Sequence, residues 1–76
     1  MPRADGLTLL SRKILAVLHN RGTWVTRAEL AHALQYSKLS IYHLKLLKRM
    51  IDKGFIEGRR IRTADDVLAY EYRVKP

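Results

Sequence analysis

The order of apolar and polar positions divides the chain into stretches of two different periods. In residues 8–20, "TLLSRKILAVLHN", Leu10, Ile14, Val17 and Leu18 recur at the spacing that lays one apolar stripe along a helix. Thr8 or Asp5 offers an N-cap, and Gly22 in "NRG" offers a stop that tolerates positive φ. "TWV" at residues 23–25 is β-branched and aromatic, which suits a very short strand with Trp24 in or beside the core. "TRAE" at residues 26–29 is a capping box, in which Thr26 accepts from the N3 amide while Glu29 reaches back. It opens a second helix over residues 27–34, with Leu30, Ala31 and Leu34 facing inward.

"QYS" at residues 35–37 leaves room only for a tight turn, so the next helix is predicted over residues 38–53. Ser37 or Ser40 caps it and Gly54 ends it. At about 100° per residue, Leu44, Leu47 and Ile51 gather on one side with Ile41 at the edge. Lys38, Tyr42, Lys45 and Arg49 make a polar stripe almost opposite. Leu39, Leu46 and Met50 fall between the two, and two readings stay open for them. Either they pack on the first helix or the hairpin, or they form a subunit interface to which Leu9 and Leu15 contribute.

The last third alternates with period two. Leu68, Tyr70, Tyr72 and Val74 interleave with Ala69, Glu71 and Arg73, which predicts a strand over residues 67–74 with one buried face. "FIEGRRIR" at residues 55–62 is a weaker strand containing Gly58, and "TADD" is the turn of the resulting hairpin. Without repeat or linker, residues 1–76 read as one α+β domain. It has three helices, a short strand before the second, and a C-terminal β-hairpin.

Composition narrows what such a domain can do. With 76 residues, folding buries only about 60–65% of the unfolded surface, so a partner subunit would add useful burial. No cysteine is present, which excludes disulfides, thiolate metal sites and thiol nucleophiles. Ser11, Arg12 and Lys13 break the apolar N-terminal run well short of the roughly 20 residues that span a bilayer. Two cations on the first helix are too few for a membrane-surface helix. A cytoplasmic or nucleoid-associated protein (in the host cytoplasm, for a viral chain) is expected, with no membrane partner. His19, His32 and His43 have no carboxylate at ligand spacing, and His32 and His43 are expected to face solvent. There is no HExxH, no glycine-rich phosphate loop and no recognisable Ser-His-Asp set, so neither an enzyme nor a metal or other cofactor is expected. No ligand cavity is evident either, and no small-molecule effector is expected.

Charge gives the positive lead. Fifteen Lys and Arg against seven Asp and Glu leave a net +8, and the pI is near 10.3. Residues 27–62 hold nine of the cations and three of the acids, hence +6 of the total. That concentration points to a polyanion, of which nucleic acid is the commonest. Lys38, Tyr42, Lys45 and Arg49 run along one face of a helix, and a helix fits the major groove of B-DNA. Arg59, Arg60 and Arg62 fall on the hairpin beside Gly58. Thr26 and Arg27 stand at the start of the second helix, where free amides and the helix dipole favour a phosphate.

The segments "VTRAELAHAL", "YSKLSIYHL" and "KGFIEGRR" resemble the winged helix-turn-helix family, in the style of MarR-like and ArsR-like prokaryotic and archaeal regulators. The resemblance runs over residues 7–74. Three departures stand out: a third helix about two residues longer than usual before Gly54, no additional helices expected at either end of the kind through which those regulators commonly dimerise, and a hairpin without the proline and tryptophan of left-handed-DNA binders. The resemblance implies that Lys38, Leu39, Tyr42 and His43 turn toward bases, and that Ser40 packs on the second helix or bonds a phosphate. The expected function is double-stranded DNA binding by a small sequence-specific transcriptional regulator. Its third helix would enter the major groove and its hairpin, the wing, would lie on the backbone or minor groove. A homodimer would set two such helices about 34 Å apart on a palindrome. Two alternatives are a protein–protein interaction module working through Leu39, Leu46 and Met50, and a replication or architectural DNA-binding domain with little sequence preference.

Overall fold

A computed structural model describes residues 8–76, so Asp5 as an alternative N-cap and residue 7 lie outside the described residues. Three helices, α1 (Leu9–Arg21), α2 (Arg27–Ala33) and α3 (Ile41–Asp52), pack on a sheet of β1 (Val25–Thr26), β2 (Ile56–Arg62) and β3 (Leu68–Val74). All strands are antiparallel and their order is β1-β3-β2. The α+β class, the three helices and the C-terminal hairpin are thus as the sequence pattern predicts.

Local signals account for most of the ends. Thr8 caps α1, its hydroxyl accepting from the Ser11 amide at 3.2 Å, and Gly22 closes it with φ +67°. Thr26 accepts from the Glu29 amide at 3.1 Å, and the Glu29 carboxylate accepts from the Thr26 amide at 2.9 Å. The box therefore forms as the sequence spells it. Strand β1 covers residues 25–26 in place of the predicted 23–25, because Val25 and Thr26 are the residues that meet Tyr72 and Glu71 of β3.

The junction between α2 and α3 departs from expectation. Gln35 takes φ +68°, its amide donates to the His32 carbonyl, and the Tyr36 amide donates to the Ala31 carbonyl at 2.8 Å. This is the Schellman closure, built on a glutamine where glycine is the usual residue. The chain then runs without helix to Ser40, so α3 begins at Ile41 and not at residue 38. Its start is fixed by a second reciprocal cap. The Ser40 hydroxyl accepts from the His43 amide at 3.4 Å, and His43 Nδ1 accepts from the Ser40 amide at 3.1 Å. Lys38 and Leu39 consequently lie in the connection ahead of the helix. The third helix is thus 12 residues long, shorter than the predicted 38–53. At its far end Gly54, φ +84°, closes α3 by the same Schellman pairing, its amide and that of Phe55 bonding to Ile51 and Met50.

The core gathers Ile14 and Leu18 of α1, Val25, Leu30 of α2, Leu46, Leu47 and Met50 of α3, Ile56 and Tyr72. Truncating one of the fully buried leucines to alanine would cost about 2–5 kcal/mol. The buried face of α3 is centred on His43, Leu46, Leu47 and Met50. It is turned roughly a quarter of the way round the axis from the predicted Leu44–Leu47–Ile51 face. Leu44 is only half-buried, while Ile41 and Ile51 are exposed. Among the described residues no helix is long and apolar enough to cross a membrane.

Candidate nucleic-acid interface

The rotation of α3 decides which of its side chains are available. Tyr42, Lys45 and Arg49 remain on the outer face and are exposed, joined by Lys48. Lys38 is exposed in the preceding connection, and Leu39 is half-buried against the core. His43 is not solvent-facing: only 6% of its surface is exposed. Its Nδ1 is committed to Ser40, which leaves the proton of the neutral ring on Nε2, and its ring meets Tyr36 edge-on at 4.8 Å. A side chain so placed cannot reach a base edge. The Ser40 hydroxyl is engaged in the cap, 2.8 Å from His43 Nδ1 and accepting from the His43 amide.

Leu46 and Met50 are 6% and 2% exposed and belong to the monomer core. They are corrected as dimer contacts, and the interaction-module alternative loses the surface it rested on. Leu15 packs half-buried against the same core, while Leu9 stays exposed at 72%.

The second helix presents Arg27 in a fixed pose. Its Nε donates to the Tyr72 hydroxyl at 2.9 Å, and its guanidinium lies 3.9 Å from the centroid of the Tyr70 ring. A planar cation over an aromatic face is favourable and keeps its outer edge for another acceptor. Thr26, by contrast, uses its hydroxyl on the Glu29 amide.

Alternation along β2 separates the hairpin arginines. The register sets Arg60 opposite Tyr70, Gly58 opposite Tyr72 and Arg62 opposite Leu68, so these share one face. Arg59 takes the other face, where it is paired with Glu71 at 2.8 Å and covers the Trp24 ring at 4.1 Å. Arg73 flanks the same ring at 4.6 Å and binds Glu57 at 2.8 Å. Arg62, near the hairpin tip, approaches Asp66 at 3.5 Å with both side chains largely exposed. Trp24 is therefore a half-buried residue beside the core, with two guanidiniums against its ring.

Between α3 and the inner face of the hairpin lies an open cleft of about 670 Å³, contrary to the expectation of no cavity. Ile41, Leu44 and Ile51 form its α3 wall, and Tyr70 and Tyr72 face them from β3. Lys45, Lys48, Arg27 and Arg60 stand around it. Among the described residues, none of these four is ion-paired to a carboxylate. Sequence reasoning missed Lys48 and the apolar wall, because placing Leu44 and Ile51 in the core hid the face that Lys45 and Lys48 share with them.

Among the described residues, no group of three or more His, Asp and Glu is placed to hold a metal ion. The Thr26 backbone amide, chiefly, with Arg21 beside it, holds the Glu29 carboxyl below the ordinary value of about 4.5. Comparison of the chain with protein-family models, with curated proteins and with solved structures gave no match.

Proposed function

We propose that this chain is a double-stranded DNA-binding protein of the winged helix-turn-helix kind, acting as a small sequence-specific transcriptional regulator. The observation that carries the reading is the convergence of cations from three separate elements on one side: Lys45 and Lys48 from α3, Arg27 from α2 and Arg60 from β2. Scattered surface lysines would have no reason to meet in this way. In the proposed complex α3 lies in the major groove, with Tyr42 at base edges and Arg49 and Lys45 on flanking phosphates. Arg60 and Arg62 take the backbone or minor groove. Lys38, ahead of the helix, reaches the phosphate at its entry.

Phosphate neutralisation supplies most of the affinity in this scheme, each contact adding about 0.9 to the slope of log K against log salt. The test is a titration of labelled random duplex and of genomic promoter fragments across a salt series. Binding at ~50 mM salt that collapses by ~200 mM, with a preferred fragment, is the expected result. Equal affinity for every duplex favours the architectural alternative, and absence of binding at ~50 mM salt to any duplex rejects both.

A further inference from the structure

The cleft between α3 and the hairpin has a feature that phosphate contact leaves unused. Its walls are apolar and open: Ile41 is 68% exposed and Ile51 36%, beside half-buried Leu44 and Tyr70. A phosphate gains nothing from such walls, whereas the cations around them hold no acidic partner among the described residues. An occupant that satisfies both must carry apolar side chains in a row with carboxylates on either flank.

The shape selects further. Ile41 and Ile51 are ten residues apart on α3, so the apolar wall runs about 15 Å, close to three helical turns. That length suits an elongated segment whose anchors recur every three to four residues. A second copy of this chain is a poor occupant, since none of its three helices is acidic: α1 carries no Asp or Glu, α2 only Glu29 and α3 only Asp52. We infer that the cleft is a docking groove for an acidic amphipathic helix of a partner protein. Leu- or Phe-type anchors would lie on Ile41, Leu44 and Ile51, and its Asp and Glu on the surrounding cations. Because Lys45 and Arg60 also serve the proposed DNA contact, such a partner would compete with DNA. That consequence alone rests on the DNA-binding reading.

Three labelled peptides of about fifteen residues, titrated by fluorescence anisotropy against the full chain, test this. One carries Leu at helical spacing with Glu and Asp elsewhere; a second has each Leu replaced by Ser; a third has each acid replaced by Lys. The first should bind saturably, and each control at least ten-fold more weakly. Ile41→Glu combined with Ile51→Glu should weaken the first peptide at least ten-fold, and so should Lys45→Glu with Lys48→Glu, both with unchanged circular dichroism. Ile51 also packs toward Gly58, so Ile41→Glu alone, at a position 68% exposed, serves as the second variant and should weaken the first peptide in the same direction. Equal binding of the serine peptide, or indifference to the isoleucine pair, overturns the groove. Adding random duplex should displace the first peptide. A duplex that does not bind at all counts against the DNA reading, and the peptide series still decides on the groove.

Discussion

Ile51 and Gly58 face each other so closely that a Cβ on Gly58 would stand 2.8 Å from Ile51 Cδ1, with the Tyr72 ring at 3.3 Å. This is the narrowest approach of α3 to β2 found at a glycine, and Gly58 does not have positive φ. Space, not backbone freedom, is what the position demands. Gly58→Ala should lower the unfolding free energy by at most about 1 kcal/mol, since Ile51 Cδ1 ends a partly exposed side chain that can turn aside while the buried Tyr72 ring yields less. In an Ile51→Val background, which removes Cδ1, the same change should be neutral or stabilising. Urea titrations of the four chains form a double-mutant cycle, and additivity within ~0.5 kcal/mol would refute the contact.

Two serines compete in the sequence to cap the third helix, and the fold chooses Ser40. Ser40→Ala should cost about 1 kcal/mol, as loss of an N-cap generally does. Ser37→Ala should change stability by less than ~0.5 kcal/mol, as at a surface site. Thermal or denaturant unfolding of both variants checks the assignment; a larger loss at Ser37 would contradict it.

Acid should release the cap of α2. The folded Glu29 carboxyl is held below its ordinary value of about 4.5, so its contribution is fully present above that value. It is lost as pH falls through the depressed folded value. The stability gap between the chain and Glu29→Ala should therefore be constant near neutrality and shrink under acid conditions. A gap that widens on acidification has the wrong sign. Because Glu29 is nearly half exposed, the change will be small.

The hairpin arginines should differ in their effect on DNA. Arg60→Ala removes a cation with no carboxylate partner among the described residues and should reduce the salt slope by about 1, whereas Arg59 is already spent on Glu71 and Trp24. Arg59→Ala should instead lower stability with little change in slope. On α3, Arg49→Ala should weaken all duplexes about equally and Tyr42→Ala should alter preference among them. Indistinguishable salt titrations for Arg59 and Arg60, or for Arg49 and Tyr42, would undo the division of roles.

What could be read from the sequence follows a physical boundary. The α1 stripe, the Thr26–Glu29 box, the Gly22 and Gly54 stops and the alternation of β3 are local, written within a few residues of where they act. The start of α3 was also local but ambiguous: Ser37 and Ser40 are equivalent as caps, and the choice rests on His43 standing in for the usual Glu or Gln. The Gln35 turn was hidden because glutamine gives no hint of positive φ. The orientation of α3 depended on tertiary packing. Its apolar residues nearly encircle the helix, so the sequence could not say that His43, Leu46 and Met50 go inward and Ile41 outward. Arg27 meeting Tyr70 and Tyr72 is a contact between the two ends of the fold, set by the β1–β3 pairing that no short-range pattern encodes.

The strand order has a consequence for how the molecule comes into being. The central member, β3, is the last of the three to leave the ribosome, and both neighbours wait for it. Until residues 68–74 emerge, β1 has no ladder to join, Tyr72 is missing from the interior, and Arg27 has no ring to rest upon. Before then the helical segments have no sheet to pack on, and Arg27 can take its place against Tyr70 and Tyr72 only once the final strand lies between the other two.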